Sequence, residues 1–207
     1  MLGSHLSAVD IFDIIIALLI SMTIHEFMHA FVGYKLGDST AKYEGRLSLN
    51  PLNHIDPLMT VILPVVSLVL FGVPFLAAKP VPFNPDRVRF GDYGAALLAV
   101  AGPVSNLVLA IIGVLIFQHV NLTSGLLNAL QLFVELNVIM FVFNLVPIPP
   151  LDGSRVLFAF APRALQEFMQ MIEPYGFFII IALVLLGGLS GFLSNIYIDV
   201  LNIISHV

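Results

Sequence analysis

Residues 25–29 have the sequence HEFMH, which places two histidines four residues apart with a glutamate directly after the first. On an α-helix, residues i and i+4 lie on one face, so both imidazoles can reach a single zinc ion. A carboxylate beside the open position of the metal can accept a proton from an activated water. We therefore predict that His25 and His29 are zinc ligands and that Glu26 is a catalytic base. A histidine pair that faces solvent at a helix end is the alternative.

A catalytic zinc site usually takes three protein ligands and keeps a fourth position for water, so another part of the chain must supply the third. The best candidate is Asp152 in NLVPIPPLDGSR, where prolines end an apolar segment and Gly153 permits a tight turn. Glu135 lies in the apolar segment that precedes this loop, but it is roughly 25 Å from Asp152 along a continuous helix. We expect Glu135 to be hydrogen-bonded inside the bundle rather than bound to metal.

The composition indicates a membrane protein. The 207 residues are 59% hydrophobic and 10% charged, whereas soluble domains are about 45–50% apolar and about 25% charged. Apolar stretches of the length that a transmembrane helix needs lie near residues 11–33, 58–78, 95–118, 125–148 and 175–193. The chain has no cysteine, so histidine and carboxylate are the strong metal ligands available. A net charge of −5 argues against nucleic acid as a partner.

Basic residues indicate how the chain crosses the membrane. They fall in three loops: Lys35, Lys42 and Arg46, then Lys79, Arg87 and Arg89, then Arg155 and Arg163. The positive-inside rule places basic loops in the cytoplasm, and all three share one side if segment 58–78 enters and leaves by the same face. We therefore predict a re-entrant element at 58–78, which Pro64, Gly72 and Pro74 interrupt. An ordinary kinked helix is the alternative.

We expect an all-α polytopic bundle with about four full spans, a re-entrant segment and short membrane-associated strands, in one domain over residues 1–207. The alternating pattern of residues 39–50 favours the strands. The N-terminal sequence lacks a basic region and a small-residue cleavage site, which argues against a cleavable signal peptide. The expected parts are an HExxH helix at about 9–36, a strand and re-entrant region at 39–93, helices at 95–118 and 125–153 (the latter with the Asp152 loop), and C-terminal helices at 175–205.

Three motifs occur in order: HEFMH at 25–29, AGPVSN at 101–106 and NLVPIPPLDG at 144–153. Together they resemble the site-2 proteases, intramembrane zinc metalloproteases that cut transmembrane segments of membrane-bound regulators. The chain is similar to the short members of that family, which lack an appended PDZ or CBS domain. The resemblance implies one zinc ion per chain and a transmembrane protein or peptide as substrate, and it leaves the oligomeric state open. The small size suits a multi-pass protein of the plasma (inner) membrane, and the basic loops place the opening of the active site on the cytoplasmic side.

The resemblance also assigns roles to individual residues. It gives the zinc ion to His25, His29 and Asp152. It gives base catalysis to Glu26 and stabilisation of the oxyanion to Asn144, whose amide can donate to developing negative charge.

Asn106, in the AGPVSN motif, is expected to bind substrate or to pack helices together, since Gly102 lets two backbones approach closely. His54, in the segment NPLNHIDP at 50–57, is expected to be either a gate near the site or a surface hydrogen-bonding residue. Two other function classes compete with proteolysis. A transporter would spread polar residues through the depth of the bundle, and a catalytically silent module that binds transmembrane helices would not need Glu26.

Overall fold

The computed structural model describes residues 8–62, 66, 79, 81–188 and 190–206. The regular secondary structure in this part of the chain is helical, and no strand occurs in it. The α-helices are α1 Ala8–Lys35, α2 Thr40–Tyr43, α3 Asp92–His119, α4 Ser124–Asn144, α5 Asp152–Phe160, α6 Arg163–Ile172, α7 Gly176–Leu185 and α8 Ser190–Ser205. Short helical turns of other types lie at Pro51–Asn53, Pro57–Ile62, Pro85–Arg87 and Glu173–Tyr175.

Within the described part of the chain, four helical stretches are long and apolar enough to cross a membrane: Val9–Lys35, Asp92–His119, Ser124–Asn144 and Arg163–Leu185. A helix satisfies its backbone hydrogen bonds internally, which the hydrocarbon core of a bilayer demands. The prediction of an α-helical membrane protein with about four spans is confirmed.

Helix α3 lies at the centre of the bundle and packs against α1, α4 and α5. Its buried face consists largely of small residues: Gly94, Ala95, Ala96, Ala99, Ala101, Gly102, Ala110 and Gly113. Small side chains let helix backbones approach closely in lipid, where dispersion contacts rather than water exclusion hold helices together. At Gly113, an added Cβ would lie 2.5 Å from a methyl group of Val134 on α4. The small face of α3 is therefore what allows its neighbours to pack so closely around it.

The C-terminal helices differ from the predicted apolar stretch at 175–193, because helical structure already begins with α6 and a break follows α7. Gly187 adopts a left-handed conformation, with φ of +71°. Its N–H donates to the Val184 carbonyl at 3.1 Å, and the N–H of Gly188 donates to the Leu183 carbonyl at 2.9 Å. These two bonds form a Schellman motif, which ends a helix and for which glycine is favoured. Helix α8 then runs separately and packs on α4.

The predicted strands at 39–50 are wrong, because the chain there forms α2 and turns. Asp38 Oδ1 accepts hydrogen bonds from the Thr40 backbone N–H at 3.0 Å and from the Thr40 hydroxyl at 2.5 Å. Such an Asx turn commits the chain to a tight local turn rather than to a ladder. Gly45, with φ of +70°, turns the chain again directly after α2. Alternation of apolar and polar residues was therefore not evidence for a sheet here.

The second oxygen of Asp38 joins this turn to a distant loop. Asp38 Oδ2 accepts from the Asn84 N–H at 2.6 Å, and the Arg89 N–H donates to the Leu36 carbonyl at 2.9 Å. Asp38 is 2% exposed, so its hydrogen bonds replace water almost completely. It therefore holds the end of α1 against the segment that leads into α3.

The three basic loops meet on one face of the bundle. The guanidinium group of Arg46 donates to the carbonyls of Asn53 and Lys79. The guanidinium group of Arg155 lies over the ring of Phe83, with 5.7 Å to the ring centre. The first loop thus contacts the second, and the third contacts the second as well.

The predicted re-entrant element at 58–78 lies largely outside the described residues. Its described beginning is the helical turn Pro57–Ile62. The residues that flank the segment are close together, since the Lys79 N–H donates to the His54 carbonyl at 3.2 Å. The re-entrant path itself stays a prediction.

We predict that Asp38→Asn lowers the free energy of unfolding by about 1–3 kcal/mol, the usual cost of leaving a buried hydrogen-bonding group unpaired. An asparagine offers one acceptor oxygen in place of two. Burial raises the pKa of Asp38, but hydrogen bonds from Thr40 and Asn84 outweigh burial and hold the pKa below its ordinary value. A lowered folded-state pKa stabilises the fold above the unfolded pKa of about 3.9, and this stabilisation is lost as pH falls through the folded value.

The measurement is thermal unfolding in detergent at several pH values. The difference in Tm between parent and Asp38→Asn should be large at neutral pH and shrink below about pH 4. Asp199→Asn, at an exposed acid of α8, is the matched control and should leave Tm unchanged. A Tm difference that does not vary with pH would contradict an ionised Asp38.

Candidate metal centre

Helix α1 carries both histidines of the HEFMH segment on one buried face. His25 is 5% exposed and His29 is 6% exposed. Their Nε2 atoms lie 3.0 Å apart. The helical spacing predicted from sequence therefore does bring the two imidazoles together.

Asp152, the first residue of α5, completes the group. Its Oδ2 lies 3.2 Å from Nε2 of His25 and 3.3 Å from Nε2 of His29. The turn before it is held by Ser154, whose N–H and hydroxyl both donate to the Leu151 carbonyl, at 3.0 and 2.6 Å. At Gly153 an added Cβ would collide with the backbone of Leu145. Glycine here lets α5 start directly against the end of α4, which places the carboxylate beside α1.

The opposite sides of the two rings are anchored to α3. Nδ1 of His29 lies 2.8 Å from the Leu98 carbonyl oxygen, and Nδ1 of His25 lies 2.6 Å from Oδ1 of Asn106. A carbonyl oxygen can only accept, so each Nδ1 carries the proton and donates. In a neutral imidazole, Nε2 then keeps its lone pair and is free to bind a metal.

The resulting donor set fits a metal ion. Nε2 of His25, Nε2 of His29 and Oδ2 of Asp152 lie within 4.8 Å of one another. Among the described residues, no hydrogen-bond donor pairs with the buried Oδ2 atom. Three acceptors that face each other without a donor repel unless a cation lies between them, and two imidazoles with one carboxylate are ligands that zinc takes.

Glu26 follows His25 directly in sequence and is 8% exposed, so the predicted base is buried in the bundle, next in sequence to a predicted zinc ligand. Arg46, which is 2% exposed, is a second buried charged residue, and its charge interacts with that of Glu26. Burial lowers the pKa of Arg46, while the negative charges of Glu26, Glu44 and Asp56 act in the opposite direction. Arg46 therefore brings a positive charge from the basic face into range of Glu26.

Asn106 is fully buried and lies behind His25, where its Oδ1 accepts from the ring. The sequence predicted that Asn106 binds substrate or packs helices together, and it did not predict this contact with His25, a predicted zinc ligand. Three residues were missed altogether as neighbours of the site: Ser21, Arg46 and Asn137. The available signal was weak. A polar side chain within an apolar helix is energetically costly and so suggests a function, and Asn137 is such a residue. The burial of an arginine in a loop, as for Arg46, has no signature in sequence.

The remaining predicted residues lie apart from the metal group in the described contacts. The Asn144 side chain donates to the Met140 carbonyl at 2.9 Å, one turn earlier in α4. His54 is fully buried, and its Nε2 lies 2.7 Å from the Ser48 carbonyl oxygen, so it is not a surface residue. Glu135 accepts a hydrogen bond from Gln131 at 2.9 Å, as predicted, but this bond is exposed and does not lie inside the bundle.

Several known proteins are similar to this chain in sequence. The model described as Peptidase family M50 matches residues 114–187. A protein of Bacillus subtilis named "Putative zinc metalloprotease YwhC" is 38% identical over 179 residues, which cover 82% of this chain and 78% of the relative. "Putative zinc metalloprotease Rip2" of Mycolicibacterium smegmatis is 30% identical over 195 residues, with 89% of this chain and 71% of the relative covered.

An archaeal relative extends the similarity. "Putative zinc metalloprotease MJ0611" of Methanocaldococcus jannaschii is 31% identical over 137 residues, which cover 64% of this chain and 62% of the relative. No solved structure matches the chain. With a His-His-Asp group positioned to bind a metal ion inside four apolar helices, and with relatives at this level of identity over most of its length, the chain belongs to peptidase family M50, the site-2 proteases, a family of zinc metalloproteases.

Proposed function

We propose that this protein is an intramembrane zinc endopeptidase that hydrolyses peptide bonds within or next to the transmembrane segments of membrane-bound substrates, as in regulated intramembrane proteolysis. The observation that carries the proposal is the convergence of two buried imidazole nitrogens and one carboxylate oxygen inside an apolar helical bundle. Zinc would be held by His25, His29 and Asp152. The residues from α1 to α8 would act as a single metalloprotease domain.

The backbone of α3 shapes the space beside this group. An added Cβ at Gly102 would lie 2.6 Å from Nε2 of His25 and still closer to Nε2 of His29. Because Gly102 has no side chain, the backbone of α3 lies directly against the Nε2 atoms of both histidines. Any side chain at position 102 would collide with both imidazoles, so glycine is what leaves the two predicted ligands undisturbed.

Zinc, when bound, supplies a Lewis acid that polarises a peptide carbonyl and makes water acidic near neutral pH. The chain supplies the proton transfers. Glu26 is the base that takes a proton from the attacking water, and it then donates that proton to the leaving amine. Its burial and its place directly after His25 in sequence support this role.

Asn144 is proposed to donate its amide N–H to the developing oxyanion. Its neighbour Leu145 supports this placement, because the Leu145 backbone packs against Gly153, the residue after Asp152. The amide would have to leave its hydrogen bond to Met140 for this. Before cleavage, the substrate helix must unwind locally, since its peptide carbonyls are otherwise engaged in helical hydrogen bonds.

We further propose that the protein lies in the plasma membrane with its basic loops, and the opening of its active site, on the cytoplasmic side. The contacts of Arg46 with Lys79 and of Arg155 with Phe83 support a common side for these loops. The positive-inside rule supplies the direction. The HEFMH segment lies in the half of α1 nearer Lys35, which puts the metal group nearer that face.

The first prediction from the proposed function concerns metal content. Detergent-purified parent protein should carry about one zinc per chain, and His25→Ala and Asp152→Ala should each lose most of it, because two ligands remain. Zinc is measured by elemental analysis against protein concentration. His119→Ala and Asp199→Ala replace an exposed histidine and an exposed acid and should keep the parental zinc content. Full zinc in Asp152→Ala would place the third ligand elsewhere.

A second prediction concerns Gly102. Gly102→Ala should weaken zinc binding at least about tenfold, the scale on which disturbed ligand orientation acts, because the new methyl group displaces both imidazoles. The matched control is Gly125→Ala in α4, where an added Cβ meets nothing within 4 Å. Zinc affinity is measured by chelator competition. Parental affinity in Gly102→Ala would mean that the metal does not lie against α3.

A third prediction separates catalysis from metal binding. Glu26→Gln should retain zinc, because glutamine has nearly the same shape, yet cleavage should fall by about 10²–10⁴-fold, the usual contribution of a general base. The probe is a set of single-span transmembrane peptides reconstituted with the protein in lipid vesicles, with fragments identified by mass spectrometry. Parental cleavage that is abolished by a zinc chelator but unaffected by Glu26→Gln would refute the assigned base.

A further inference from the structure

A chain of buried polar side chains runs away from the metal group across three helices. Asn106 of α3 donates from Nδ2 to Oδ1 of Asn137 at 2.9 Å. Asn137 of α4 donates from Nδ2 to the Phe133 carbonyl and to the Ser21 hydroxyl, both at 2.8 Å. Asn106, Asn137 and Ser21 are all fully buried. Polar groups at such buried positions depend on hydrogen bonds to other protein groups. It therefore matters which atom of each pair is the donor.

The carbonyl of Phe133, at the end farthest from the metal group, decides which atom donates in each of these hydrogen bonds. The Phe133 carbonyl can only accept, so the Asn137 amide must turn its NH₂ group toward it. Oδ1 of Asn137 then faces Asn106, which must in turn present its own NH₂ group. Reversing either amide would set two carbonyl oxygens against each other, which costs a lost bond and adds repulsion. Only one arrangement therefore satisfies every group.

A second contact fixes the Asn106 amide in the same orientation. Its Nδ2 also lies 3.4 Å from the backbone carbonyl of Ser21, another atom that can only accept. With both hydrogens of the NH₂ group directed at acceptors, Oδ1 of Asn106 must face His25. There it lies 2.6 Å from Nδ1, so the ring is required to carry its proton on Nδ1.

We propose that Asn137 is a positioning residue for the metal site, which acts through Asn106 to hold His25 in the tautomer whose Nε2 lone pair faces the metal. Asn137 touches neither metal ligand nor substrate in this role. Its effect passes through the orientation of the Asn106 amide. The proposal rests on the metal site of the proposed function, since the tautomer matters because Nε2 is a ligand.

The physical consequence is a metal ligand that is ready before the metal arrives. Groups that hold the far nitrogen of a metal-binding histidine typically contribute 10–100-fold to metal affinity. His25 is held by a relay of two side chains, Asn106 and Asn137. His29 needs no relay, because its Nδ1 donates directly to the backbone carbonyl of Leu98. His25 reaches backbone carbonyls only through side-chain amides: the Ser21 carbonyl through Asn106, at a long 3.4 Å, and the Phe133 carbonyl through Asn106 and Asn137. Replacement of Asn137 should therefore act on His25 and leave the anchoring of His29 intact.

The experiment compares zinc affinity in four variants by chelator competition in detergent. Asn137→Leu, which is similar in size but has no polar atom, should weaken zinc binding about tenfold, and Asn106→Leu by about 10–100-fold. Asn137→Asp should stay within about threefold of the parent, because a protonated carboxyl can donate to Phe133 and accept from Asn106. Ser21→Ala should also stay within about threefold, since the Phe133 carbonyl still sets the direction.

Thr23→Val is the matched control for loss of a buried polar group on α1. Thr23 is 5% exposed, and its hydroxyl has no hydrogen-bond partner among the described residues. The variant should keep parental zinc affinity. Thermal unfolding of each variant with zinc removed shows how much of any change is general destabilisation. A merely structural Asn137 would lower this metal-free Tm in Asn137→Leu and leave the zinc affinity of the folded protein unchanged.

A spectroscopic measurement on the zinc-loaded parent needs no variant to fold. With ¹⁵N-labelled histidine, His25 and His29 should each show a protonated Nδ1 and a metal-bound Nε2. A His25 that binds through Nδ1 would overturn the relay, as would parental zinc affinity in Asn137→Leu or a tenfold loss in Asn137→Asp. Failure of the proposed function looks different, because the parent itself would then hold no zinc.

Discussion

Mutual repulsion between three acceptor atoms is the constraint around which the bundle is organised. The two Nε2 atoms and Oδ2 of Asp152 lie 3.0–3.3 Å from one another, a spacing that acceptor atoms adopt when a proton or a cation joins them. The proton positions on the far sides of both rings direct lone pairs, not donors, at the centre. A bound cation would convert this repulsion into attraction, and the low-dielectric surroundings would strengthen the effect.

Holding such a group together requires that backbone elements approach more closely than ordinary side chains allow. Gly102 brings α3 onto the metal-facing side of both imidazoles, and Gly153 brings the start of α5 onto the end of α4. In lipid, close backbone approach is also the main source of helix association. The same small residues thus stabilise the bundle and shape the site. This explains why the ligands can come from elements far apart in sequence and still meet within a few ångströms.

The parts predictable from sequence were those with a local physical signature. Spacing of i and i+4 on a helix predicted the meeting of His25 and His29, and the proline-rich ending of α4 with Gly153 indicated that Asp152 could fold back to them. The prediction of strands at 39–50 was wrong, because the hydrogen bonds between Asp38 and Thr40 outweighed the alternation of apolar and polar residues. The relay through Asn137 could not be found, since it depends on which face of α4 meets α1 and α3, a matter of tertiary packing.

The distribution of buried polar groups distinguishes a protease from a transporter. An ion pathway needs polar groups through the whole hydrocarbon core of about 30 Å. On α1 the buried polar side chains run from Ser21 to His29, a span of roughly 12 Å along the helix.

Within that span, several of these groups are already committed to one another or to α3 and α4. Groups that satisfy each other in this way would have to break several buried bonds to bind a passing ion, at about 1–3 kcal/mol for each group left unpaired. The arrangement therefore favours a fixed metal site, in which the polar residues hold the ligands in place, over a route along which ions move.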